Sequence, residues 1–360
     1  MILPEKYNPL FVIISIGTSF VFSILINSIL LKFSQTLGTR SVNNQSQIRW
    51  NPDVKPSVGG ISFFVIFLLT FIIIQFIHSV LPLNYSTLKI AGIFIVCTIA
   101  FLMGLADDAY NTQPLLKFVT QLTCGLILYF TDTKIKIFDN EAINLGFTVF
   151  WIVGIMNSIN MLDNMDGITT SVSIVILCFI AALNLNLNTL LTPLSILSLG
   201  LFGALCGFLI YNFHPSKIFM GDTGSQFLGC FLGVVGIDYC WNSAFLMGNS
   251  WHAESPILQG FLITALVFIL PLTDTITVTI NRIAKGSSPF VGGKDHTTHH
   301  LFFKGVTEKR ITLLYVAIGF AGLMLALQLI FNYQFLWLTL SLLFCLIIFL
   351  ILYINTRIKF

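Results

Sequence analysis

Two adjacent aspartates, Asp107 and Asp108, are the first side chains in the sequence whose spacing points to chemistry. They lie in the run GLADDAYNTQPLLKF, directly after a long apolar stretch. Neighbouring carboxylates repel each other unless a cation or a proton lies between them, which suggests a magnesium site or a carboxylate that acts as a base. A solvated loop start is the alternative. Lys117 follows, either as a point charge for a phosphate or as a lysine that reaches the membrane surface.

A second acidic group is formed by Asp163 and Asp166, three residues apart in NSINMLDNMDGI. On a helical turn this spacing places both carboxylates on one face, beside the amide of Asn160. Carboxylates and amides suit a hard cation surrounded by phosphate and sugar hydroxyls. An interhelical turn, capped by aspartate and ended by Gly167, is the alternative.

A third motif, NFHPSKIFMGDTGSQF, contains Asp222 between two glycines. Glycine lets the backbone approach a phosphate or a metal closely, and the helix that follows favours an anion at its N-terminus. The alternative is that Asp222 only caps that helix. Phe219 is expected either to stack on a base or to anchor at the membrane interface.

The fourth motif, SSPFVGGKDHTTHHLFFKG, contains three histidines, His296, His299 and His300. They could bind a metal or donate hydrogen bonds to a diphosphate. The spacing matches no zinc pattern, so we favour phosphate contact, with a solvated loop as the alternative.

The composition defines the class of protein in which these motifs must work. Lysine, arginine, aspartate and glutamate make up 9% of the 360 residues and apolar types 56%, against about 25% charged residues in a soluble domain. This excludes a soluble globular protein, a disordered chain and a disulfide scaffold. A net charge of +3 gives no reason to expect nucleic-acid binding. The remaining class is a polytopic membrane protein.

Long apolar runs predict an all-α bundle of about eleven transmembrane helices, which forms a single integral membrane domain over residues 1–360. Residues 276–310 are predicted to be a histidine-rich loop within it. The eleven predicted spans are Leu10–Leu31, Gly59–Leu81, Leu88–Leu105, Leu115–Phe130, Leu145–Ile159, Ile168–Leu185, Leu191–Tyr211, Ser225–Cys240, Ile257–Thr275, Ile311–Phe331 and Phe335–Tyr353.

The distribution of charged residues predicts the orientation of this bundle in the membrane. Alternate loops place 14 of the 18 basic residues on one side, which the positive-inside rule assigns to the cytoplasm. The N-terminus is then outside and the C-terminus inside. Nine of the 15 carboxylates lie on the same side, including every aspartate pair. A transporter would more often place ionisable residues at mid-span, so this pattern favours an active site at the cytoplasmic membrane surface.

In their order, the four motifs resemble the polyprenyl-phosphate N-acetylhexosamine-1-phosphate transferases (glycosyltransferase family 4). The resemblance runs from about Lys55 to Leu301. It implies transfer of an N-acetylhexosamine-1-phosphate, with N-acetylglucosamine-1-phosphate favoured, from a UDP-sugar to undecaprenyl phosphate with release of UMP. That would be the first membrane step of a cell-envelope polysaccharide, such as lipopolysaccharide or teichoic acid, in a bacterial inner membrane.

The resemblance also implies roles for individual residues. Asp107 and Asp108 match paired aspartates near the lipid phosphate and the metal, and Asp222 matches the metal-binding aspartate. Magnesium is the expected cofactor, with manganese as the alternative, and its expected ligands are Asp222 and Asp108. The catalytic residues implied are Asp107, Asp108, Asp163 and Asp166. The substrate-binding residues implied are Lys55, Ser57, Lys117, Asn160, Asn212, Phe219, His296, His299 and His300.

The resemblance leaves alternatives open for the branch of the family and for the class of protein. DHTTHHL is closer to the His-x-His-His form of the N-acetylglucosamine-1-phosphate branch, yet its two threonines depart from that form. The phospho-N-acetylmuramoyl-pentapeptide translocase is therefore the alternative within the enzyme class, and a secondary transporter is the alternative outside it. The expected partners are the UDP-sugar, undecaprenyl phosphate and the lipid bilayer, with room for a homodimer.

Overall fold

The computed structural model describes residues 8–36, 55–80, 85–246, 255–288 and 293–357. Within these ranges the regular structure is helical, apart from an isolated β-bridge between Ser57 and Phe219. The all-α prediction is confirmed. Some charges used to assign the sides of the membrane, including Arg40, Arg49 and Asp53, lie outside the described residues.

Thirteen α-helices make up the described part of the chain. A π-helical turn over Ile237–Trp241 and a short 3-10 turn over Ser243–Phe245 follow the eighth of them. The helices are α1 Asn8–Thr36, α2 Gly59–Val80, α3 Thr87–Tyr110, α4 Pro114–Phe130, α5 Glu141–Leu162, α6 Ile168–Leu187, α7 Pro193–Asn212, α8 Gly221–Gly236, α9 Pro256–Val267, α10 Ile269–Ala284, α11 Thr297–Phe303, α12 Glu308–Phe331 and α13 Phe335–Arg357.

Eight of the described helices are long and apolar enough to cross a membrane: α1, α2, α3, α5, α6, α7, α12 and α13. A bent pair, α9 and α10, passes the same test when taken together, and α4 is a shorter apolar helix. Many large apolar side chains of α1 and α13 are exposed, as expected for helices that face lipid rather than water. The chain is therefore a polytopic membrane protein.

The predicted ninth span, Ile257–Thr275, is wrong as a continuous helix. It divides into α9 and α10, whose axes meet at 87°. Pro271 explains the break, because proline has no N–H to donate to the carbonyl of Val267 one turn earlier. The histidine-rich segment 276–310 is also not simply a loop, since it contains the end of α10, all of α11 and the start of α12.

The centre of the bundle is α8, which is buried from Thr223 to Gly236 and packs against α2, α3 and α5. Its approach to α3 is unusually close. A Cβ atom placed on Gly104 of α3 would lie 2.3 Å from the backbone oxygen of Asp222. Only glycine allows this approach, which is what brings the end of α3 against the start of α8.

We expect Gly104→Ala to lower the free energy of unfolding by about 1–3 kcal/mol, since the added methyl must push α3 and α8 apart. Thermal unfolding of the detergent-purified protein measures the effect. Gly154→Ala is the matched control, because a Cβ on Gly154 meets nothing within 4 Å. Equal stability of the two variants would contradict the close packing of α3 and α8.

Candidate active site

The turn between α3 and α4 places Asp107 beside Lys117. α3 ends at Tyr110, Asn111 follows it in a left-handed conformation, and Pro114 begins α4. The buried carboxylate of Asp107 accepts hydrogen bonds from the backbone N–H of Thr112 at 2.9 Å and from its hydroxyl at 2.6 Å. It also forms an ion pair with the Lys117 ammonium. Two residues that the sequence assigned to one motif are therefore in direct contact.

Asp108 points the other way, onto the N-terminus of α8. Its carboxylate accepts hydrogen bonds from the backbone N–H groups of Asp222 at 3.0 Å and Thr223 at 2.8 Å, and from the Thr223 hydroxyl at 2.6 Å. The first N–H groups of a helix have no partner within the helix and favour a negative charge. Asp108 thus caps α8 from another helix, a contact that the sequence did not predict.

This cap leads to a prediction that separates two roles. Asp108→Ala should destabilise the protein by about 0.5–2 kcal/mol, the usual cost of losing a helix cap. Asp108→Asn keeps an acceptor for one of the N–H groups, so it should restore most of that stability. If Asp108 also binds a metal, Asp108→Asn should still lose transferase activity. Full activity in a stable Asp108→Asn protein would leave the aspartate as a cap only.

Asp222 lies where α4, α5 and α8 meet. One carboxylate oxygen is 3.4 Å from the Lys117 ammonium. The other accepts a hydrogen bond from the amide of Asn160, which also donates to the hydroxyl of Ser225 at 2.8 Å. Lys117 therefore lies between Asp107 and Asp222, and Asn160 fixes the orientation of Asp222.

Asp163 lies close enough to Asp108 and Asp222 for their charges to act on its carboxyl. It follows the last residue of α5. Burial, and then the nearby charges of Asp222 and Asp108, raise the pKa of the Asp163 carboxyl to about 7. Carboxylates that repel one another in this way favour a bound cation, and hard oxygen donors of this kind suit Mg²⁺ or Mn²⁺.

Asp166 belongs to a second cluster. The prediction that Asp163 and Asp166 share one helical face is wrong, because α5 ends at Leu162 and the two residues lie in the turn before α6. The Asp166 carboxylate accepts hydrogen bonds from the backbone N–H of Ser216 at 2.9 Å and its hydroxyl at 2.8 Å. The Lys55 ammonium is 3.9 Å away and the His214 ring nitrogen 3.3 Å away.

Lys55, Ser57 and Phe219 are held side by side near Asp166. Ser57 pairs with Phe219 in the isolated bridge, in which the Phe219 N–H donates to the carbonyl of Pro56 at 3.0 Å. The Lys55 ammonium lies 5.3 Å from the centre of the Phe219 ring. An aromatic ring, an ammonium and a carboxylate therefore lie close together at this point.

Asn212, predicted to bind substrate, is a buried residue with structural hydrogen bonds. Its carbonyl accepts from the hydroxyl of Thr170 at 2.7 Å, and its amide donates to the carbonyl of Ile218 at 3.1 Å. These bonds tie the end of α7 to α6 and to the segment before α8. Asn212 therefore shapes the loop that carries Phe219.

The histidine motif is organised by Asp274, a residue of α10 that lies within an apolar run. Asp274 is 2.8 Å from the His296 ring nitrogen and accepts from the backbone N–H of Thr297 at 2.8 Å. The Thr297 hydroxyl also contacts Tyr315 at 2.7 Å. Asp274 thus orients His296 and caps α11. Asp274 is not among the site residues predicted from the sequence, and the single carboxylate inside the apolar run PLTDT is the signal that could have identified it.

His299 and His300 lie on α11, which contacts the turn between α5 and α6. The Thr298 hydroxyl donates to the Asn164 carbonyl at 2.7 Å, which ties α11 to the turn that carries Asp163. Burial, and then the charge of His296, lower the pKa of His299 to about 4, so its imidazole is neutral near pH 7. All four sequence motifs therefore meet at one end of the bundle.

This arrangement defines a class of protein, a polytopic membrane protein with one charged site at the end of its helices. The model of glycosyl transferase family 4 matches residues 90–239, which run from within α3 to the π-helical turn after α8. Over these residues the chain is similar to that family.

Individual relatives extend the similarity beyond the matched region. The chain is 28% identical over 348 residues to the probable undecaprenyl-phosphate N-acetylglucosaminyl 1-phosphate transferase of Bacillus subtilis, covering 94% of this chain and 90% of that protein. It is 26% identical over 302 residues to the decaprenyl-phosphate N-acetylglucosaminephosphotransferase of Mycobacterium tuberculosis, covering 77% and 73%. It is 33% identical over 200 residues to the phospho-N-acetylmuramoyl-pentapeptide-transferase of Streptococcus thermophilus, covering 51% and 58%.

Proposed function

We propose that this protein transfers N-acetylglucosamine-1-phosphate from its UDP-sugar to undecaprenyl phosphate and releases UMP. The observation that carries the proposal is the near full-length similarity to the Bacillus subtilis relative, whose name states an undecaprenyl-phosphate N-acetylglucosaminyl 1-phosphate transferase. The product would be the first lipid-linked intermediate of a cell-envelope polysaccharide.

Asp108, Asp163 and Asp222 offer carboxylate oxygens, the ligand type that a hard divalent metal takes. Asp107 and Asp222 place oxygen donors on either side of the Lys117 ammonium, and burial, together with the charges of Asp222 and Asp108, raises the pKa of Asp163. Asp222 and Asp108 would hold Mg²⁺, with Mn²⁺ as the alternative. When bound, the metal would neutralise the diphosphate and the departing UMP.

The chain's own residues would align two anions. In the proposed reaction, an oxygen of the lipid phosphate attacks the β-phosphorus of the UDP-sugar, and the bond from that phosphorus to the bridging oxygen of UMP breaks. Lys117 would attract the lipid phosphate at the membrane boundary, and Asp107 would orient it or take its proton. Catalysis of this kind depends mainly on position and charge neutralisation.

The cluster around Asp166 would bind the nucleotide. The Phe219 ring offers a stacking surface for uracil, while Lys55, Ser57 and Asp166 offer hydrogen bonds at its edge. His296, oriented by Asp274, and the neutral His299 would donate hydrogen bonds to the sugar diphosphate. His300 and Asn160 are assigned to the same substrate surface.

The mechanism is proposed as direct attack rather than transfer through an aspartyl intermediate. In the direct reaction no phosphosugar becomes attached to the protein. Turnover with a UDP-sugar labelled in its β-phosphate, followed by denaturation, tests this difference. Recovery of labelled protein at turnover rates would replace direct attack with the covalent route.

A substrate panel tests the proposed function. The purified protein is given undecaprenyl phosphate, magnesium and one radiolabelled UDP-sugar at a time, and we expect label in the lipid fraction only with UDP-N-acetylglucosamine. The Streptococcus thermophilus relative makes UDP-N-acetylmuramoyl-pentapeptide the main competitor. Transfer of the pentapeptide substrate instead would favour that second candidate. Uptake of a solute into vesicles without lipid labelling would favour a transporter.

We also propose that the site faces the cytoplasm of a bacterium, in its inner membrane, with eleven crossings and an external N-terminus. The concentration of basic residues near the site supports this direction. Single cysteines introduced at Lys304 and at Lys136, in a background without native cysteines, should react with an impermeant thiol reagent from opposite sides. Labelling of both from outside intact cells would contradict the proposed orientation.

A further inference from the structure

An apolar groove runs along the outside of the bundle between α11, α12 and α13. Its volume is about 480 Å³, within the range of pockets that hold small molecules. The side chains of Leu314, Ile351 and Ile354 are well exposed along it, so the groove is open to the surrounding bilayer. Its lining consists of Leu301, Lys304, Leu314, Ile318, Ile348, Ile351, Leu352, Ile354 and Asn355.

Two hydrogen-bond donors lie at one end of this groove. The Lys304 ammonium donates to the side-chain carbonyl of Asn355. An ammonium can only donate, so this contact fixes which side of the Asn355 amide faces Lys304. The other side, Nδ2, then has no hydrogen-bond partner among the described residues, although Asn355 is only 8% exposed.

An unpaired buried amide group of this kind costs about 1–3 kcal/mol. The energy is recovered if a ligand supplies an acceptor. An ammonium and an unpaired N–H₂ at the same place favour a ligand with an anionic oxygen. The apolar lining of the rest of the groove favours a ligand with an apolar tail.

Basic side chains outnumber acidic ones around this end. Lys285, Asp295 and Lys304 all lie near His300, and burial together with the two lysine charges lowers the pKa of the His300 imidazole against the opposing charge of Asp295. The ends of α11 and α13 therefore present basic and donor groups beside an apolar wall. An anionic phospholipid has the complementary form, with phosphate oxygens next to acyl chains.

We propose that this groove binds one anionic phospholipid of the surrounding membrane. Its phosphate lies against the Lys304 ammonium and the Asn355 amide, and an acyl chain follows the apolar residues of α12 and α13. None of the predicted substrate or metal residues lines the groove, so this site is separate from the proposed acceptor site at Lys117.

Such a lipid would also contact the histidine helix. Leu301, which lines the groove, directly follows His300 on α11. A bound phospholipid would therefore pack against the helix whose Thr298 contacts Asn164, in the turn that carries Asp163. The lipid would hold α11 in place without entering the reaction.

Native mass spectrometry of the delipidated full-length protein tests the proposal, with phosphatidylglycerol and phosphatidylcholine as probes. We expect wild type to retain one phosphatidylglycerol with at least about tenfold preference over phosphatidylcholine, equivalent to about 1.4 kcal/mol. Asn355→Asp places a negative charge where the phosphate would lie. It should lose that preference, while its carboxylate pairs with Lys304 and preserves the fold.

Two control variants complete the experiment. Lys304→Arg keeps the charge and should retain phosphatidylglycerol. Lys136→Gln removes a lysine that is paired with Asp132, away from the groove, and should bind lipid as wild type does. Each variant is first checked by thermal unfolding. Equal binding of the two lipids by wild type, or unchanged phosphatidylglycerol binding by a folded Asn355→Asp protein, would overturn the proposal.

Discussion

Asp222→Asn is expected to lower transfer of N-acetylglucosamine-1-phosphate by at least about 100-fold, the scale on which one electrostatic contact to a transition state acts. Asp222 is the carboxylate that lies between Lys117 and Asn160. Asparagine has nearly the same shape but no charge. The proposed metal site therefore loses a ligand charge while the side chain still fits between its neighbours.

The variant should fold and insert normally, because α8 is capped by Asp108 and not by Asp222 itself. Radiolabel transfer to undecaprenyl phosphate is measured over a magnesium titration. Asp238→Asn serves as the control, since it makes the same change in an ion pair with Lys89 away from the candidate site. Wild-type turnover by Asp222→Asn at saturating magnesium would count against Asp222 as a metal ligand.

Lys117→Met should be the second variant with a large effect. Its ammonium is the cation found between Asp107 and Asp222. Methionine keeps much of the apolar stem but leaves both carboxylates without this partner. We expect kcat/KM to fall by about 100-fold, which corresponds to about 2.7 kcal/mol of lost transition-state stabilisation.

The KM values for the two substrates show which of them Lys117 binds. If the lysine attracts the lipid phosphate, KM for undecaprenyl phosphate rises and KM for the UDP-sugar changes little. Lys117→Arg keeps the charge and should recover part of the activity, although its planar group cannot repeat the same contacts. Lys89→Met is the matched control. A stable Lys117→Met protein with unchanged kinetics would exclude Lys117 from the reaction.

Much of the fold follows from local properties of the chain. A run of about 20 apolar residues can satisfy its backbone in a membrane only as a helix, so within the described residues each predicted span falls largely on helical structure. The break at Phe268 was missed because the apolar run continues through it, and only Pro271 indicated a discontinuity.

The candidate site could be predicted only in part from such local properties of the sequence. Asp107, Lys117 and Asp222 were assigned to a common site, and the structure places them in contact. The spacing of Asp163 and Asp166 places their carboxylates on one face only if the helix continues through both residues. It could not show that they join different clusters. The helix ends at Leu162, and Ser216, from a distant segment, then determines where Asp166 points.

The sequence by itself determined the class of protein, the four motifs and the end of the bundle at which they gather. These depend on hydropathy and on short runs of residues, which act locally. Only the tertiary structure decided that Asp108 caps α8 across 114 positions of chain, that Asp274 orients His296, and that Lys304 and Asn355 end an apolar groove. Such contacts depend on how close two helices approach, and that distance is set by packing around residues such as Gly104.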